Sequence, residues 1–211
     1  MENEELAKKS EQQEGKSVDK DCSQCLKQRC RKGKNCYPEI NRGIMEKYNE
    51  PENLKMSRAS AAIEARHYMQ QTRLEETRLF AREMGYTRMG IAACVGLVRE
   101  VQTITEYMRK EFEVYMVVCK NGGHLKNSLN YEQIKPDSDE VMCNPIGQAL
   151  FLNQKKTDMN IICGLCVGLD MLFTKYSDAP VTTIIVKDRV LAHNPAAVLY
   201  SGYYRKNILE L

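Results

Sequence analysis

Residues 89–119 read MGIAACVGLVREVQTITEYMRKEFEVYMVVC. The segment opens with a short apolar strand over residues 89–93. A helix follows over 97–110, with Val98, Val101, Ile104, Tyr107 and Met108 on one side. A second apolar strand over 114–118 closes it. Two apolar strands joined by a crossover helix predict parallel pairing in a sheet covered on both faces. The alternation continues downstream, with strands predicted over 159–162 and 181–186 and helices over 145–156, 168–176 and 195–206. Asn144 and Pro145 suit the cap and first position of the helix they open. Upstream, one long helix is predicted over 57–84, stopped by Gly85. The expected architecture is therefore α/β over residues 57–211. It is a three-layer, Rossmann-like parallel sheet of about four strands, and right-handed crossovers order them 2-1-3-4.

The 211-residue chain suits one such domain with a small appendage. Its 31 basic and 28 acidic residues leave a formal charge of +3, too little for a strong polyanion binder, so nucleic acid is not an expected partner. No apolar run approaches the roughly 20 residues of a membrane-spanning helix. Residues 1–21 are polar, charged from the second residue and without an apolar centre, and read as a disordered tail rather than a secretory signal. The expected location is the cytoplasm, where thiols stay reduced. Nine cysteines in such a chain then point to metal or redox chemistry, and the odd number argues against a fully paired disulfide framework.

In a parallel sheet of this order, ligands lie beyond the carboxyl ends of the strands, at the point where the strand order reverses. The cysteines concentrate there. Cys94 follows the first strand, Cys119 the second, and Cys163 and Cys166 the third; Cys143 precedes the helix leading into the third. Thiolates gathered on one rim repel one another unless a cation holds them, and soft metals and iron–sulfur clusters are the natural cations for sulfur. Cys94, Cys119, Cys143 and Cys166 are the preferred ligands of a crevice iron–sulfur cluster, with Cys163 as an alternate ligand or a buried thiol. A dithiol site built on the C-x-x-C pair Cys163–Cys166 would leave the other three without a purpose. Buried apolar cysteines would need no metal. Beyond the fourth strand, Lys187 and His193 are candidate catalytic groups, supplying charge or a proton to a small anionic substrate. His67 and His124 read as ordinary hydrogen-bonding histidines.

Residues 22–56 form a cysteine-rich segment and connector, in which Cys22, Cys25, Cys30 and Cys36 are spaced as C-x2-C-x4-C-x5-C. Four thiols this close predict a closed tetrathiolate module holding zinc or a second iron–sulfur cluster. Lys27, Arg29, Arg31, Lys32 and Lys34 lie among them with no acid to offset the positive charge. Tyr200, Tyr203 and Tyr204 form an aromatic patch that could cover the sheet or meet a second copy, so a homodimer stays open.

Several strings resemble one uncharacterised prokaryotic family of cysteine-rich proteins, a domain of unknown function labelled as metal-binding. They are Cys94-Val-Gly-Leu, Glu113-Val-Tyr, Cys143-Asn-Pro-Ile, Thr157-Asp-x-Asn-Ile-Ile-Cys-Gly-Leu-Cys-Val-Gly-x-Asp170, Lys175-Tyr-Ser-Asp-Ala-Pro-Val and Val190-Leu-Ala-His-Asn-Pro195. The resemblance covers nearly all of residues 22–205 and implies metal binding without a reaction. The chain departs from the pattern at Leu169, where the family commonly has a histidine, so no proton-transfer role is implied there. The expectation is an iron–sulfur redox or sulfur-handling enzyme (an oxidoreductase or a desulfurising lyase) acting on a small molecule or with an electron-transfer partner. The alternative is a non-catalytic zinc carrier, sensor or assembly module.

Overall fold

The structure, a computed structural model, describes residues 21–136 and 138–211. The expected tail therefore lies, apart from Asp21, outside the described residues. The chain divides into two units, residues 1–50 and 51–211.

The described part of the first unit has no core. Every residue from 21 to 50 is exposed except the half-buried Tyr37. A 3-10 turn over Arg29–Lys32 ends at Gly33, whose φ of 86° is open to glycine. A short helix, α1 (Ile44–Tyr48), follows Gly43.

The second unit begins with two helices, α2 (Pro51–His67) and α3 (Arg73–Glu83), in place of the single one expected over 57–84. Pro51 suits a first helical position, so the helix starts earlier than Ser57. The break between them is chemical. Met69 turns left-handed, and Thr72 caps α3 in a reciprocal capping box with Glu75. That Thr-x-x-Glu signature stands in the sequence, where apolar spacing continuing across it conceals the stop.

Four parallel strands follow: β1 (Arg88–Ala93), β2 (Glu113–Val118), β3 (Met159–Cys163) and β4 (Val181–Ile185), in the order β2-β1-β3-β4. Helix α4 (Val98–Met108) links β1 to β2 and packs on both; α5 (Pro145–Gln154) packs on the same two strands, and α6 (Leu169–Tyr176) packs on α5. The central strands β1 and β3 are buried residue after residue, apart from Arg88, whereas the edge strand β4 is half-buried throughout. Gly90 is required within β1, because a Cβ there would overlap the side chains of Asn160 and Leu152. The core runs through Met89, Ile91, Val101, Met108, Leu152, Ile161 and Phe173. The expected closing helix is two short ones, α7 (Ala197–Tyr200) and α8 (Gly202–Asn207). Among the described residues no helix is long and apolar enough to cross a membrane.

Candidate functional site

All four strands end at one level, with Ala93 beside Val118 and Cys163, and Cys163 beside Ile185. The chain beyond that level carries the sulfurs. The Cys94 N–H donates to Cys163 O at 3.0 Å, and the Cys119 N–H donates to Ala93 O at 2.9 Å. After β3, Gly164 takes a φ of 72° and brings its backbone against Leu97 and Cys94, where a Cβ would collide with Leu97. Cys143 arrives by another route. The loop from 120 folds back so that the Asn144 N–H donates to Cys119 O at 2.7 Å, and the Asn121 and Asn144 side chains bond each other at 3.1 Å. Asn144 also caps α5, as expected, by accepting from the Gly147 N–H.

One cleft of about 730 Å³ results, and Cys94, Cys119, Cys143, Cys166 and Lys187 all line it. Cys163 does not: it is fully buried within the sheet, and burial pushes its thiol up to about 12. His193 also stands outside the lining. It closes the turn after β4, its Nδ1 accepting from the Asp188 N–H at 3.1 Å. The thiols of Cys22, Cys25, Cys30 and Cys36 are exposed, with Cys22 Sγ 3.5 Å from the Tyr37 hydroxyl. Among the described residues, no three histidine, cysteine or acidic side chains are disposed to hold one metal ion.

Each cleft sulfur faces a donor. Lys187 Nζ lies 3.3 Å from Cys94 Sγ, Arg189 Nη2 3.3 Å from Cys166 Sγ, and the Val95 N–H donates to Cys119 Sγ at 3.4 Å. Cys119 and Cys143 have their sulfurs 3.7 Å apart. The hydrogen bond with Cys119, then the Lys120 ammonium, brings the Cys143 thiol down to about 6 against the opposing effect of burial. The same bond and its burial push the Cys119 thiol up. Asp139 and Glu140 also line the cleft, and Glu140 is engaged with Lys126 at 2.9 Å.

One position here, Gln148, was not anticipated from sequence, and Arg189 joins Lys187 in the lining beyond the fourth strand. Arg189 reaches Cys166 from the turn that Asp188 and His193 close. Gln148, fully buried in α5, donates from Nε2 to Ala93 O at 3.1 Å and to Val117 O at 2.8 Å, pinning the strand ends beneath Cys94 and Cys119. Its signal was a glutamine beside Ala149 and Leu152, on a face that should be apolar. A second cavity, of about 710 Å³, lies at the opposite ends of β3 and β4 against α2 and α3 and has no cysteine in its lining.

Four sulfurs line the cleft, and each meets an N–H or cationic group. A family model described as "Protein of unknown function (DUF1847)" matches residues 32–184. An uncharacterized protein of Methanocaldococcus jannaschii is 51% identical over 189 residues, covering 90% of this chain and 98% of its own. No solved structure matches the chain.

Proposed function

The chain belongs to that family of unknown function, DUF1847, and, since the kinship carries no reaction, we propose from the chemistry of the cleft that it is a metal-binding protein whose cleft cysteines hold a thiolate-ligated centre. The observation that carries this reading is the set of donors on sulfur, Lys187 on Cys94, the Val95 N–H on Cys119 and Arg189 on Cys166, together with the Lys120 charge that lowers the Cys143 thiol. Neutral core thiols need no such company. Metal-bound thiolates do, because hydrogen bonds and nearby cations stabilise their charge.

An iron–sulfur cluster is the group this cleft suits best, since it takes cysteine thiolates from several directions and fills more space than one ion. When bound, it would supply electron exchange or, at an open iron, Lewis acidity. Cys94, Cys119, Cys143 and Cys166 would be its ligands. Lys187 and Arg189 would draw a small anionic substrate to the same mouth, and Gln148 would hold the strand ends in register beneath it. The function that follows is a redox or sulfur-handling enzyme. A second reading, zinc without catalysis, has its own support. The 3.7 Å between Cys119 and Cys143 is near the about 3.8 Å edge of a tetrahedron with 2.3 Å Zn–S bonds. The exposed segment holding Cys22, Cys25, Cys30 and Cys36 has no core, so a structural ion there would supply what packing does not.

Anaerobic purification with metal and acid-labile sulfide analysis tests both. Iron, sulfide and visible absorption are expected. Zinc alone in a colourless protein selects the second reading, and a metal-free protein overturns both. In Cys166→Ala the cleft centre is expected to be lost while metal held by the N-terminal thiols remains; full retention of iron removes Cys166 from the ligands.

A further inference from the structure

We propose that Cys119 and Cys143 form a reversible disulfide that switches the cleft between a thiol state and a cross-linked state. Their sulfurs are 3.7 Å apart, so closing to the about 2.05 Å of a disulfide takes roughly 1.7 Å. The backbone already holds the pair. The Asn144 N–H donates to Cys119 O at 2.7 Å, and Asn121 donates to Val118 O at 2.9 Å and to Asn144 O at 3.0 Å. The other thiols near them are committed elsewhere: Cys94 to Lys187, Cys166 to Arg189, and Cys163 to the sheet interior. The C-x-x-C pair that the sequence offers for dithiol chemistry is therefore not the pair the fold brings together.

Burial sets the order of events. Both line the cleft, but Cys143 is half-buried whereas Cys119 is buried. With a low-molecular-weight disulfide as oxidant, the Cys143 sulfur attacks one sulfur of the reagent and forms a mixed disulfide. The first reagent sulfur departs as a thiolate and takes up from water the proton that Cys143 released on ionising. The Cys119 sulfur then attacks Cys143 Sγ, and the second reagent thiol departs with the Cys119 proton. Two electrons pass from the pair to the reagent, which leaves as two thiols. Reduction by a dithiol reverses both steps. On the metal-centre reading, on which this consequence rests, oxidation withdraws two of the four ligands and empties the cleft.

The test treats full-length, chelator-stripped protein with glutathione disulfide and maps its peptides without reduction. The expected product is a peptide pair joined through Cys119 and Cys143, with glutathione retained on Cys143 only in Cys119→Ser. Glutathione held on Cys143 in the unaltered chain, or Cys143 joined to Cys94 or Cys166, overturns the proposal. Metal uptake measured on the same samples separates the two readings. A bond that forms in a chain whose cleft takes up no metal in either state sinks the metal centre and keeps the switch. Metal uptake without the bond does the reverse.

Discussion

Asp158 sits where β1 and β3 begin, at the end of the sheet away from the cysteines. Its Oδ2 accepts from the Thr87 N–H at 2.7 Å, the Arg88 N–H at 2.8 Å and the Thr87 hydroxyl at 3.2 Å, while its own N–H donates to Arg88 O. Burial alone would raise this carboxyl, but the hydrogen bonds to its charged form prevail and hold it below the usual range. A depressed native pKa gives stability that is fully present above the unfolded value, about 3.9, and is lost as pH falls through the native one. Asp158→Asn keeps the shape and removes the charge. It is expected to cost roughly 1 kcal/mol at neutral pH and to flatten the acid limb of stability below about pH 4. Denaturant unfolding across that range checks both. Equal acid sensitivity in the two proteins would assign the clamp to packing instead. Asp158 was assigned no role from sequence, because a lone aspartate before a strand carries no local mark of the backbone it will meet.

At the scale of elements, the strands were legible and the helix ends less so. Parallel strands buried on both faces leave unbroken apolar runs, and the predicted strands fall within a residue or so of β1 to β4. The Thr72 stop was hidden because α2 and α3 carry apolar residues at similar spacing on both sides of the break. The start of α5 was visible in Asn144-Pro145, and it matters to the site because the cap lies next to Cys143. Asn144→Ala removes the side-chain bonds to the Gly147 N–H and to Asn121. The expected loss is about 1 kcal/mol for the cap, or roughly 2–4 °C in melting temperature for a chain of this size. It should also slow closure of the Cys119–Cys143 bond, followed by trapping free thiols at timed intervals. A bond forming at the unaltered rate would mean that the loop holds Cys143 without its cap.

At the scale of the molecule, the core of the described residues lies in the second unit, with its buried cluster drawn from Ala81 to Phe173. The described residues 21–50 contribute no buried side chain. Cys25→Ala is therefore expected to lower the metal bound per chain and to leave the thermal unfolding of the sheet unchanged. Metal analysis and far-ultraviolet circular dichroism on one sample read both. Collapse of the sheet would mean that its stability draws on the N-terminal thiols. The four-cysteine spacing was plain in the sequence, but the segment around it is exposed, and the thiols are not gathered there by any apolar core.

What the sequence determined by itself was the order of strands and the edge at which the sulfurs collect. Apolar runs and helical periods are local properties, and the handedness of crossovers follows from backbone chirality, so both can be read without coordinates. Only the tertiary structure decided between the two places open to Cys163, and what each cleft sulfur meets. Cys163 and Cys166 are three residues apart, yet the pleat keeps one inside the sheet and the turn at Gly164 sends the other out. The return of the loop from 120 to 142, which sets Cys143 against Cys119, and the turn after β4, which sets Lys187 and Arg189 on sulfur, depend on contacts between residues 23 to 93 positions apart. No periodicity records such distances.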